Sequence, residues 1–125
     1  MSYELPVPKN WQDFQRACVV LYQAELNDPH VQEYGRHGQS QRGIDIFGRR
    51  DGKPGHYVGV QCRRIEKPLK EAKIEEDCRA ALALEAGLKE IIFATTAPDD
   101  TKATDASVAV EKKLRAEGHD VIVVV

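Results

Sequence analysis

Apolar residues recur along the chain with two different periods, and the switches between them divide it into alternating helices and strands. Trp11, Phe14, Cys18, Leu21 and Tyr22 fall at spacings of three and four after Asn10, a residue suited to capping a helix. That first helix is expected to end near Asn27-Asp28-Pro29, with a short strand over Val31 to Tyr34. After a polar stretch the apolar signal returns in Ile44-Asp45-Ile46-Phe47. It returns again, beyond the turn-rich Asp51-Gly52-Lys53-Pro54-Gly55, in His56 to Arg63, and two such runs around a turn predict a hairpin.

Pro68 can open a second helix over Leu69 to Ala86, with Ile74, Cys78, Ala81 and Leu82 on one side and Gly87 at its close. Glu90 to Thr95 contains the continuous apolar run Ile91-Ile92-Phe93-Ala94 of a strand buried on both faces. A third helix is expected over Asp99 to Glu117, with Ala103, Ala106, Val110 and Leu114 inward and Gly118 as its stop. Val121 to Val125 forms the last strand. The order is α-β-β-β-α-β-α-β, an α/β domain spanning residues 1–125. The chain halts inside an apolar strand, which suggests the first domain of a longer polypeptide.

The chain has 125 residues, of which 42% are hydrophobic and 30% charged, values that suit one ordinary folded domain. No run approaches the roughly 20 apolar residues of a membrane span and the N-terminus lacks a secretory pattern, so a soluble cytoplasmic protein without membrane partners is expected. Three cysteines with no C-x-x-C spacing argue against a disulfide framework and a zinc knuckle, and read as buried thiols. His30, His37, His56 and His119 have no ligand spacing and read as surface or loop residues.

Net charge of −2 advertises no polyanion partner, but its distribution does. Positions 33–73 carry ten Lys and Arg against five acids, a local net of +5, which leaves −7 for the remainder. A basic middle on an acidic body suits a polyanion bound on one face, although basic runs also serve as solvated surface.

The hairpin brings Asp45 next to Gln61-Cys62-Arg63. Period-2 alternation places Asp45 opposite Ile44 and Ile46, and places Gln61 and Arg63 on one face with Cys62 on the other. A carboxylate between Ile44 and Ile46 is expensive to bury unpaired, which favours function over accident. Water cleaves a phosphodiester only when the phosphate charge is neutralised and a nucleophile generated, tasks that divalent metals perform together. Hard cations such as Mg²⁺ select carboxylate and carbonyl oxygens on a rigid frame, and adjacent strands supply one.

Asp45, then Gln61 and Arg63 on the next strand, followed by a helix, resembles the PD-(D/E)XK nuclease superfamily and in particular its Mrr-like restriction endonuclease branch. The phrase Gly35-Arg36-His37-Gly38-Gln39-Ser40-Gln41-Arg42-Gly43-Ile44-Asp45-Ile46-Phe47-Gly48 looks like the entry to this site in effector nucleases of bacterial antiphage defence proteins. The resemblance covers essentially the whole chain. It implies a restriction-endonuclease-like mixed sheet flanked by helices, and a Mg²⁺-dependent endodeoxyribonuclease that also accepts Mn²⁺.

By this resemblance Asp45 and Gln61 are metal ligands and, with Arg63, the catalytic residues. Double-stranded DNA is the implied partner, contacted by Arg36, Gln39, Gln41 and Arg42, and such domains pair through regions outside this chain. A third ligand from the first helix would be Asp13, with Glu25 the lesser candidate. Asp13 has an equally good reading as a first-turn acid that complements the helix dipole. One position departs from the family: its Lys is Arg63 here. A guanidinium binds phosphate well but does not readily tune or release a proton. The alternative reading is therefore a silenced nuclease-fold module that binds nucleic acid or a partner protein.

Overall fold

The computed structural model of the chain describes residues 11–34, 44–63, 69–96 and 101–125, with side chains in the first helix from Asp13 onward. Its elements are α1 (Trp11–Glu25), β1 (Gln32–Glu33), β2 (Ile46–Arg49), a 3-10 turn (Arg50–Gly52), β3 (Tyr57–Arg63), α2 (Glu71–Leu84), β4 (Leu88–Thr95), α3 (Thr101–Ala116) and β5 (Ile122–Val124). The α-β-β-β-α-β-α-β order expected from periodicity is present. The five strands form one mixed sheet in sequence order. β1–β2 and β2–β3 pair antiparallel, whereas β3–β4 and β4–β5 pair parallel, as the intervening helices α2 and α3 require.

Alternation along β3 and β4 sorts the core into two layers. Val58, Val60, Cys62, Ile92 and Ala94 face α1, where they bury Phe14, Cys18, Tyr22 and Leu26. Ile91 and Phe93 face the other way, onto Ile74, Cys78 and Ala81 of α2 and Val110 and Leu114 of α3. Each large side chain buried this way contributes about 1.5–3 kcal/mol. Both faces of β4 are covered, hence its continuous apolar run. All three cysteines are buried and free.

α2 starts at Glu71 and not at Leu69, β4 starts at Leu88 and not at Glu90, and two further boundaries differ from expectation for physical reasons. α2 stops at Leu84, because Glu85 turns extended (φ −144°, ψ 97°) before Gly87 is reached. β2 starts at Ile46 and not at Ile44. Ile44 packs into the α2/α3 layer while Ile46 packs into the α1 layer, so the two isoleucines do not share a face. The chain bends at Asp45 and breaks the period-2 pattern there.

Other boundaries are as the residue types demand. α3 ends where Gly118 takes φ +100° and His119 N–H reaches back to the Leu114 carbonyl at 3.0 Å. Gly48 lets β2 approach the α1 exit, since a Cβ there would lie 2.6 Å from Val31 Cγ2.

At the N-terminal end of β4, Glu90 is buried and accepts from Arg50 Nε at 3.0 Å and Nη2 at 2.6 Å, while its Oε2 lies 2.9 Å from His56 Nε2. Burial pushes the Glu90 carboxyl up, but hydrogen bonds from Arg50 and His56 outweigh it and the net shift is downward. His56 is therefore partnered, with an acid 34 residues away that no helical spacing would reveal.

Candidate active site

The carboxyl ends of β3 and β4 lie together, with Gln61 opposite Phe93 and Arg63 opposite Thr95. In open α/β sheets this end of the parallel strands is where ligands are bound. β2 pairs with β3 only as far as Ile46 and Val60, so the chain before β2 is free to turn. The bend at Asp45 uses that freedom. Its main-chain N–H bonds the Val60 carbonyl at 2.9 Å, and its Oδ2 accepts the Cys62 N–H at 2.8 Å. The carboxylate thus extends the strand pairing by one bond and is fixed against β3.

Gln61 points toward α2 and Cys62 toward α1, as alternation along β3 predicts. Gln61 is fully buried, and its Nε2 donates to the Asp77 carbonyl at 3.0 Å. Its Oε1 accepts from Arg63 Nη2. Arg63 then spreads across the site: Nη1 lies 3.0 Å from the Cys62 carbonyl and 3.4 Å from Asp45 Oδ2, and Nη2 lies 3.0 Å from Asp77 Oδ2. Lys73 Nζ, one turn earlier on α2, is 3.3 Å from Asp77 Oδ1.

Asp77 is the residue that sequence reasoning missed. It is three residues after Ile74 and just before Cys78 on the inward stripe of α2, and its side chain is 8% exposed. The readable signal was a carboxylate on an apolar helical face, a placement that carries a cost unless a cation meets it.

Charge is balanced locally. Asp45 and Asp77 supply two carboxylates, Arg63 and Lys73 two cations. Burial raises the Asp45 pKa above its ordinary value and the Asp77 charge adds to that rise, while the Cys62 N–H and the Arg63 charge oppose it. The thiol of Cys62 is pushed up by its hydrogen bond with Cys18 and by burial, so it is no nucleophile. Burial likewise raises Cys78, to about 12.

The oxygens gathered here are Asp45 Oδ2, Gln61 Oε1, the Cys62 carbonyl and Asp77 Oδ2, all hard donors of the kind Mg²⁺ or Mn²⁺ prefers. Among the described residues no group of three or more His, Cys, Asp or Glu side chains is placed to hold a metal, so an ion here would have to draw on the amide and the main-chain carbonyl beside the carboxylates. The donor chemistry fits a hard divalent cation.

Asp45, Gln61 and Arg63 are brought together as expected. Asp13 is exposed on the first turn of α1, 3.6 Å from Arg16, and α1 packs on the sheet face opposite Gln61 and Asp77. Glu25 lies at the other end of that helix. Arg36, His37, Gln39, Gln41 and Arg42 lie outside the described residues.

No family model matches the chain, and no curated protein matches it. Among the described residues no helix is long and apolar enough to cross a membrane.

Proposed function

We propose that this chain is a metal-dependent DNA endonuclease domain of restriction-endonuclease-like fold, acting in the cytoplasm as the effector of a bacterial defence system. The observation that carries the reading is the meeting of the Asp45 carboxylate, the Gln61 amide oxygen and the Cys62 carbonyl at the end of β3, beside the Arg63 guanidinium. The basic stretch over positions 33–73 supports a polyanionic substrate, and double-stranded DNA is the one the sequence resemblance implies.

Asp45 and Gln61, with the Cys62 carbonyl, would hold Mg²⁺ or Mn²⁺. Such an ion, when bound, neutralises phosphate charge and makes water a nucleophile near neutral pH. Around it, Arg63 supplies a fixed positive charge and parallel N–H donors for a phosphate. Gln61 contributes an oxygen without a charge, so metal affinity in the absence of DNA is weak and the substrate phosphate completes the site.

Incubation of supercoiled plasmid with the protein and Mn²⁺ tests this, alongside Asp45→Ala and Arg63→Lys. The enzyme reading expects nicking by the wild type and none by Asp45→Ala. If neither the wild type nor Arg63→Lys cuts any DNA, single- or double-stranded, the nuclease reading is lost. Activity confined to Arg63→Lys would instead favour the second reading, a silenced module that binds nucleic acid or a partner. What favours that reading is the engagement of Arg63 with Asp45, Gln61 and Asp77 together.

A further inference from the structure

The Arg63 guanidinium touches four oxygens: Asp45 Oδ2, Gln61 Oε1, the Cys62 carbonyl and Asp77 Oδ2. These are the hard oxygens a divalent cation would use. We infer that Arg63 is the resident cation of this site, and that the guanidinium and a divalent metal hold Asp45 in mutually exclusive states. The inference rests on the metal-dependent reading above and adds to it a built-in control of metal entry.

Charge and geometry both argue for exclusion. Asp45 and Asp77 are 10% and 8% exposed, so each needs a positive partner to remain ionised in place. Asp77 has two, Arg63 and Lys73, whereas the only cation paired with Asp45 among the described residues is Arg63. A metal ligated by Asp45 Oδ2 and the Cys62 carbonyl would use the two acceptors that Nη1 already occupies. It would also stand against a like charge that never deprotonates. One cation must leave.

The architecture determines which one can. Gln61 is fully buried and tied to α2, but Arg63 is the last residue of β3 and its side chain is 23% exposed. Its stem can swing toward solvent without disturbing the strand. The planar fork, with five N–H donors, bridges acceptors on four residues at once, which a lysine ammonium with three donors on a flexible stem does less well. A phosphate offers the same fork a bidentate partner. Arrival of substrate therefore draws the guanidinium outward and opens Asp45, so phosphate and metal binding are positively coupled. By linkage each strengthens the other equally.

Calorimetric titration of Mn²⁺ tests this without reference to cleavage, using wild type, Arg63→Ala, Arg63→Lys and Asp45→Asn, each first melted to confirm folding. Arg63→Ala should bind Mn²⁺ at least about tenfold tighter than the wild type, within the usual range of coupling between sites. Arg63→Lys, which keeps the charge and should fold even if the alanine variant does not, should fall between them. Asp45→Asn should bind none, and an uncut duplex should raise wild-type affinity by more than it raises that of Arg63→Ala, which has no guanidinium to displace. Measurable and equal Mn²⁺ affinities in the wild type and both Arg63 variants would overturn the exclusion while leaving the metal site standing. No Mn²⁺ binding by any of them, with or without duplex, would remove the metal-dependent reading and the exclusion together.

Discussion

Arg63 Nη2 lies 3.0 Å from Asp77 Oδ2 and so joins the last residue of β3 to the middle of α2. Residues 14 apart in sequence thereby close the α2 side of the site, and neither is fully exposed. Replacing Asp77 by Ala leaves the guanidinium short of one carboxylate and Lys73 without its buried partner. Chemical denaturation should show a loss of about 1–3 kcal/mol, the cost of orphaning a partly buried charged hydrogen bond. Asp77→Asn keeps the shape and an acceptor oxygen and should lose less. Equal stability of all three proteins would mean that the pair contributes nothing.

Gln61 makes a different demand, since its amide is used at both ends: Nε2 on the Asp77 carbonyl and Oε1 under Arg63. Leucine fills a similar volume but satisfies neither group. Gln61→Leu is therefore expected to cost about 1–3 kcal/mol despite the gain in apolar character, because buried polar partners are left unmet. A urea midpoint equal to or above that of the wild type would contradict this.

Asp45, Gln61 and Arg63 were legible in the sequence because strand alternation and hairpin pairing are local rules, and the rule placing Gln61 and Cys62 on opposite faces of β3 holds. The same rule misplaced Ile44 relative to Ile46, because regular pairing begins only at Ile46 and the chain bends at Asp45. Asp77 was hidden in plain view on an apolar stripe. The contacts of Arg50 and His56 with Glu90 span 40 and 34 residues and depend on which strand ends meet, which no periodicity encodes.

That distant cluster gives the fold an acid-labile contact. Glu90 sits below its ordinary value of 4.5 in spite of burial, because Arg50 and His56 hold its ionised form. A lowered carboxyl contributes stability that is present above the ordinary value and lost as pH falls through the folded one. At neutral pH Glu90→Gln should be less stable than the wild type by about 1–3 kcal/mol, the range for a buried charge-assisted contact. The gap should shrink as pH falls through and below 4.5. A gap that stays constant over that range would separate the contact from the ionisation of Glu90.

Asp45 should behave in the opposite sense. Burial, aided by the Asp77 charge, raises its pKa above the ordinary 3.8. The fold therefore favours the protonated form: the contribution is fully present below 3.8 and is lost as pH rises through the folded value. Asparagine imitates that neutral form and keeps an oxygen for the Cys62 N–H. Wild type and Asp45→Asn should thus be of similar stability at the acid end, with the variant gaining the advantage as pH rises and holding it above the folded pKa. Denaturation midpoints collected from acid to neutral pH give the difference directly. If the wild type instead gains on the variant with rising pH, the Arg63 guanidinium and Cys62 N–H more than offset the burial of the charge. The expected result makes Asp45 a residue kept at a cost in stability, which is what a carboxylate held ready for a cation other than Arg63 requires.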